Sequence, residues 1–144
     1  MKPIKSFESF IKSGIVKRQA PDISRANFLR KESEKSYLSL NKIVNEIGLN
    51  DDNASTIIKL CYDIVMELIR AKMFIKGFNS SGKGAHEAEV VYLRELGFNE
   101  NDVQSMNELR YFRNGVVYYG KILDKHYAEK VLKILEKIYP KLKQ

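Results

Sequence analysis

The sequence predicts an all-α fold, an antiparallel bundle of about five main helices forming one domain over residues 1–144. Three observations carry that expectation. Apolar residues recur at three- and four-residue spacing through most of the chain, no stretch alternates for long enough to compete as a strand, and glycine, asparagine and serine gather at a few junctions. With 144 residues, 44% hydrophobic and 30% charged, and only three prolines and eight glycines, the composition is that of a folded domain with enough apolar material for a core.

A short first helix is expected over about Ser6–Lys17, ending near "KRQAPD", where Pro21 marks a turn. A long helix follows from about Ser24 to Ile47, with Leu29, Ser36, Leu40, Val44 and Ile47 on one face and Gly48 as its stop. "NDDNAS" supplies caps for a second long helix, about Ala54–Lys76. Its stripe of Ile57, Cys61, Ile64, Leu68, Ala71 and Ile75, widened by Ile58, Val65 and Ile69, predicts the most buried helix of the bundle. "GFNSSGKGA", Gly77–Ala85, has three glycines, two serines and an asparagine and reads as a flexible loop. A helix of about Ala85–Leu96, closed by Gly97, comes next. Asn99 or Asn101 then caps a helix running to about Leu123, and Asp124 caps a last one with Ala128, Val131, Leu135, Ile138 and Leu142 on one side.

Charge narrows the function classes. The net charge of +7 is uneven: residues 1–48 carry ten bases against five acids, 49–107 six against nine, and 108–144 nine against four. Basic ends around an acidic middle predict an electropositive face from the terminal helices, a footprint suited to nucleic acid, or else a lysine-rich surface that serves solubility. The one cysteine, Cys61, lies in an apolar run, so it supplies no internal disulfide and no metal-ligand set, and reads as a buried small hydrophobe. The two histidines, His86 and His126, are far apart in sequence and form no recognisable metal site. "GFNSSGKG" lacks the spaced glycines and the Lys–Ser/Thr ending of a P-loop. No metal and no cofactor is expected. Charges interrupt every apolar run, so a cytoplasmic protein outside the membrane is expected.

The densest polar chemistry lies in "ELRYFRNGVVYYG", Glu108–Gly120. Leu109, Phe112, Val116, Tyr119 and Leu123 share the face expected to turn inward, which leaves Arg113 off the stripe. A guanidinium fork suits phosphate oxygens, and the tyrosines are able to stack on unpaired bases or to pack in an interface. Gly115 and Gly120 each cost a helix about 1 kcal/mol relative to alanine, which points to close packing against this segment. His86, beside the Gly77–Ala85 loop, is placed either to cap its helix or to donate to a bound phosphate. His126, one turn into the last helix, is expected to be exposed or partly packed.

"RNGVVYYG" after a long helix, with "GFNSSGKGAHEAEVVYLREL" upstream and "DKHYAEKVLKILEKIYPKL" downstream, resembles the HEPN family (higher eukaryotes and prokaryotes nucleotide-binding domain), especially its small archaeal members. "SGIVKRQAPDISRANFLRKESEKSYLSL" resembles the opening of such proteins. The resemblance implies a four- or five-helix bundle, a homodimer, and binding of RNA or nucleotide. Many members are metal-independent ribonucleases, and several are toxins paired with a nucleotidyltransferase antitoxin. The family motif is an arginine, commonly followed by a polar residue, then a histidine four to six residues on. Arg113 and Asn114 match its start, while the histidine position falls on Tyr118 or Tyr119. The resemblance thus implies catalytic roles for Arg113, Asn114 and Tyr118, and nucleic-acid contacts from Arg110, Arg113, Tyr119, Lys121 and His86. Tyrosine, with an unperturbed pKa near 10, is a poor general base at neutral pH, so weak or absent ribonuclease activity is expected. The alternatives are an active endoribonuclease toxin and a helical scaffold for partner proteins.

Overall fold

A computed structural model describes residues 3–113 and 123–144. Six α-helices lie within them, with one short strand pair: α1 Phe7–Lys12, β1 Val16–Arg18, α2 Ile23–Lys42, α3 Ala54–Lys76, β2 Phe78–Ser80, α4 Ala85–Glu95, α5 Glu100–Arg113 and α6 Lys125–Lys143. The all-α class holds, and α3 is the element around which the others pack: α2, α4, α5 and α6 all contact it. Its side chains at Ile57, Ile64, Met66 and Ile69 are fully buried, because neighbours surround it on almost every side.

Local signals set most helix ends. Ser6 Oγ accepts from the Ser9 amide at 3.2 Å to start α1, and Asp22 Oδ1 accepts from the Arg25 amide at 3.0 Å to start α2. Asn99 Oδ1 accepts from the Asp102 amide and Asp124 Oδ1 from the Tyr127 amide, both at 2.9 Å. The α6 stripe of Ala128, Val131, Leu135, Ile138 and Leu142 is buried along its whole length.

Five expectations are corrected. The first helix stops at Lys12 rather than Lys17, since Gly14 turns the chain in the left-handed region at φ +82° and Val16–Arg18 becomes a strand. The Gly77–Ala85 segment is not all loop. Its Phe78–Ser80 pairs antiparallel with β1 in the register Val16↔Ser80, Lys17↔Asn79, Arg18↔Phe78. Phe78 secures the pairing, its ring meeting Phe7 at 5.2 Å and Tyr92 at 5.9 Å. Gly77 ends α3 at φ +81°, and a Cβ there would lie 2.4 Å from the Gln19 carbonyl oxygen, so the close approach of the two strands requires glycine.

The long second helix passes into a π-helical turn, Ile43–Ile47, before Gly48. The wider turn takes Ile47 off the buried face, leaving it 70% exposed. On α2 the buried line is Ala26, Ser33 and Leu40, with Ser33 Oγ donating to the Ile64 carbonyl at 2.9 Å. Ile75, expected on the α3 stripe, is exposed near the end of that helix. The helix expected to reach Leu123 is described to Arg113, and Leu123 itself lies outside a helix, just before the Asp124 cap.

Candidate functional site

Three helices bring polar side chains to one place. Asp63 and Arg70 sit seven residues apart on the strip of α3 that is not given to apolar packing, and Tyr62 borders that strip. The first turn of α4 supplies His86, and the last turn of α5 supplies Arg113. Together these five residues line a pocket of about 350 Å³. Arg113 is steadied from behind: Leu109 and Phe112 are buried, and the Phe112 ring meets Tyr127 of α6 edge-on at 4.8 Å.

A carboxylate holds each cationic group of the wall. Arg113 Nε faces Asp63 Oδ1 at 3.5 Å, with both side chains nearly half exposed. Such a pair is worth only about 0–1 kcal/mol, so an incoming anion displaces Asp63 at little cost. On the other side Glu89 Oε1 accepts from Arg70 Nε at 3.2 Å and lies 3.1 Å from His86 Nδ1, while Glu89 Oε2 accepts from Ser80 Oγ at 2.7 Å. Glu89 is 4% exposed and His86 55% exposed, so a buried carboxylate anchors a ring that borders the solvent. Burial alone would raise the Glu89 carboxyl. The His86 hydrogen bond, the Arg70 charge and the Ser80 hydroxyl outweigh it and hold the group below the usual carboxylate range.

Tyr62 is buried, and its hydroxyl has no hydrogen-bond partner among the described residues. Burial first, and then the nearby Glu89 charge, push its pKa well above the ordinary tyrosine value. The group stays protonated. Among the described residues no cluster of three or more His, Cys, Asp or Glu is able to hold a metal ion. Cys61 is buried, and its thiol is pushed up to about 12 by that burial. No helix of the described residues is long and apolar enough to cross a membrane.

The expected site residues divide accordingly. Arg113 and His86 come together in the pocket. Arg110 is held nearby with its side chain only 13% exposed: its Nε donates to Asn107 Oδ1 at 2.9 Å, its Nη2 lies 3.8 Å from Glu87, and its guanidinium sits 4.6 Å from the Tyr111 ring. Asn114, Tyr118, Tyr119 and Lys121 lie outside the described residues, as do Val116 and the two glycines of that segment. His126 is 95% exposed, with Glu129 at 4.0 Å.

Sequence reasoning passed over Tyr62, Asp63, Arg70 and Glu89. The legible signal was Glu89, an acid followed directly by the apolar run "VVYL" and three residues after a histidine, a spacing that puts both on one helical face. No family model matches the chain, and no match is found among curated proteins or solved structures.

Proposed function

We propose that the protein binds the phosphate groups of RNA or of a nucleotide in the pocket between α3, α4 and α5, with Arg113 and Arg70 as the anion-holding groups. One observation carries the reading. Arg113, the residue singled out in "RNGVVYYG" for its match to the HEPN motif, borders the same pocket as a second arginine, a histidine and a tyrosine. Arg70 is held by the buried Glu89 of a neighbouring helix, which limits the ordering cost of binding, and the weak Arg113–Asp63 pair is easily exchanged for a phosphate. The surplus of bases in the first and last thirds of the chain supplies a wider field that draws a polyanion to the surface.

Arg113→Ala in the folded protein tests the reading. Affinity for single-stranded RNA, followed by fluorescence anisotropy across a salt series, is expected to fall, and the slope of log K against log salt to drop by about one phosphate contact. An affinity that ignores both salt and Arg113→Ala overturns it.

A further inference from the structure

We propose that a second cavity, between α2, α3 and β2, is a binding site for a small monocarboxylate with a branched apolar body. The cavity shares Arg70 with the pocket of Arg113 but opens beside Arg25 of α2. It holds about 120 Å³. An apolar cavity of about 150 Å³ is enough for a benzene ring, so this one suits an acid whose body is slightly smaller than a ring.

Its walls divide into two kinds. Leu29 of α2, Met73 and Phe74 of α3 and Phe78 of β2 form an apolar side. Arg25 and Arg70 bring guanidiniums to the same space, and both have donors to spare. The Arg25 side chain forms no ion pair among the described residues; its guanidinium lies 4.7 Å from the Phe74 ring, which holds the planar fork against the apolar wall. Asp22, the acid nearest to it in sequence, accepts from the Arg25 amide at 3.0 Å and is spent on capping the helix. Arg70 gives Nε to Glu89 at 3.2 Å, leaving both Nη groups without a hydrogen-bond acceptor among the described residues.

The charges select the ligand. Glu89 also lines the cavity, but it already has Arg70, Ser80 and His86 as partners, so it calls for no cation of its own. Two guanidiniums against one carboxylate leave the wall with a single positive charge, the complement of a monoanion. An inorganic phosphate would bring a second negative charge toward Glu89 and leave four apolar side chains facing water. A carboxylate matches the guanidinium fork, and an aliphatic body behind it covers those side chains.

The site stands apart from phosphate binding, because Arg25 and Leu29 are not among the residues that line the pocket of Arg113. Each reading therefore fails without the other. The test titrates the full chain, labelled for amide correlation spectra, with isovalerate, and in parallel with isopentylamine and inorganic phosphate. Isovalerate is expected to give saturable shifts at Leu29, Phe74, Phe78 and Ser80, with the amine and phosphate giving none there. Arg25→Gln, at an exposed position, should keep the native melting curve and weaken isovalerate binding by about tenfold or more. Leu29→Trp, which fills the cavity from the half-buried side of α2, should abolish it. No saturable shift at these amides overturns the proposal, as does binding of the amine or of phosphate as tight as that of isovalerate, or an Arg25→Gln affinity equal to the native one.

Discussion

The two sides of α3 are built for different purposes. On one, Ile57, Cys61, Ile64, Leu68 and Ala71 are buried against neighbouring helices, with no polar side chain among them. On the other, Asp63 and Arg70 face a pocket, each tied to a group on another helix, with Tyr62 beside them and its hydroxyl unpartnered among the described residues. The apolar side is stabilised by area removed from water and by close packing, which are insensitive to which atoms meet. The polar side gains little stability and depends on exact pairings. Apolar packing and polar pairing are therefore separable on a single helix, and substitutions on each side should fail in different ways.

The largest effect is expected on the apolar side. Ile64→Ala removes a fully buried side chain and should destabilise by about 2–5 kcal/mol, read by urea or thermal unfolding, with RNA affinity unchanged under conditions where the variant is folded. A smaller but still substantial loss, about 2 kcal/mol, is expected for Gly77→Ala. That substitution forces alanine into a left-handed conformation and against the Gln19 carbonyl. Because Gly77 leads directly into β2, which carries Ser80 to Glu89, this change should also reach the polar side and reduce RNA binding; unchanged binding would show that the pocket does not depend on the strand pair.

Acid should separate the two sides further. Glu89 has a folded pKa below its ordinary value of 4.5, so its contribution to stability is complete above that range and is lost as pH falls through the lower folded value. The native protein should therefore lose stability in acid beneath pH 4.5, and Glu89→Gln should lack that part of the loss while costing about 1–3 kcal/mol near neutrality. A Glu89→Gln profile parallel to the native one would mean that the carboxyl is not held ionised by His86, Arg70 and Ser80. The smallest expected change is Tyr62→Phe. Removing a buried hydroxyl that has no partner among the described residues should leave stability unchanged or raise it by about 1 kcal/mol, while a drop in RNA affinity would identify that hydroxyl as a ligand contact.

Much of the fold was legible because its signals are local. Asn99 and Asp124 cap helices through side-chain oxygens that accept from amides three residues on, and the α6 stripe depends only on helical period. Arg113 stood out for the same reason, as a cation off the apolar stripe of its own helix. Ile47 and Ile75 show where period ceases to suffice: both continue a regular pattern, yet both are exposed, because a π turn or the end of a helix carried them past their neighbours.

By itself, then, the sequence determined the helical class, most helix boundaries, the central place of α3 and the place of Arg113 off the apolar stripe of its helix, all of them set within a few turns of chain. Only the tertiary structure decided that Val16–Arg18 and Phe78–Ser80 pair, since each strand of three residues needs a partner some sixty positions away to satisfy its backbone. Only it decided, too, that His86 stands in the same pocket as Arg113. That meeting requires α3, α4 and α5 to converge and Glu89 to be buried between Arg70, Ser80 and the ring it holds. Contacts of this kind are made between elements whose relative position is fixed by packing, and no spacing along one helix encodes them.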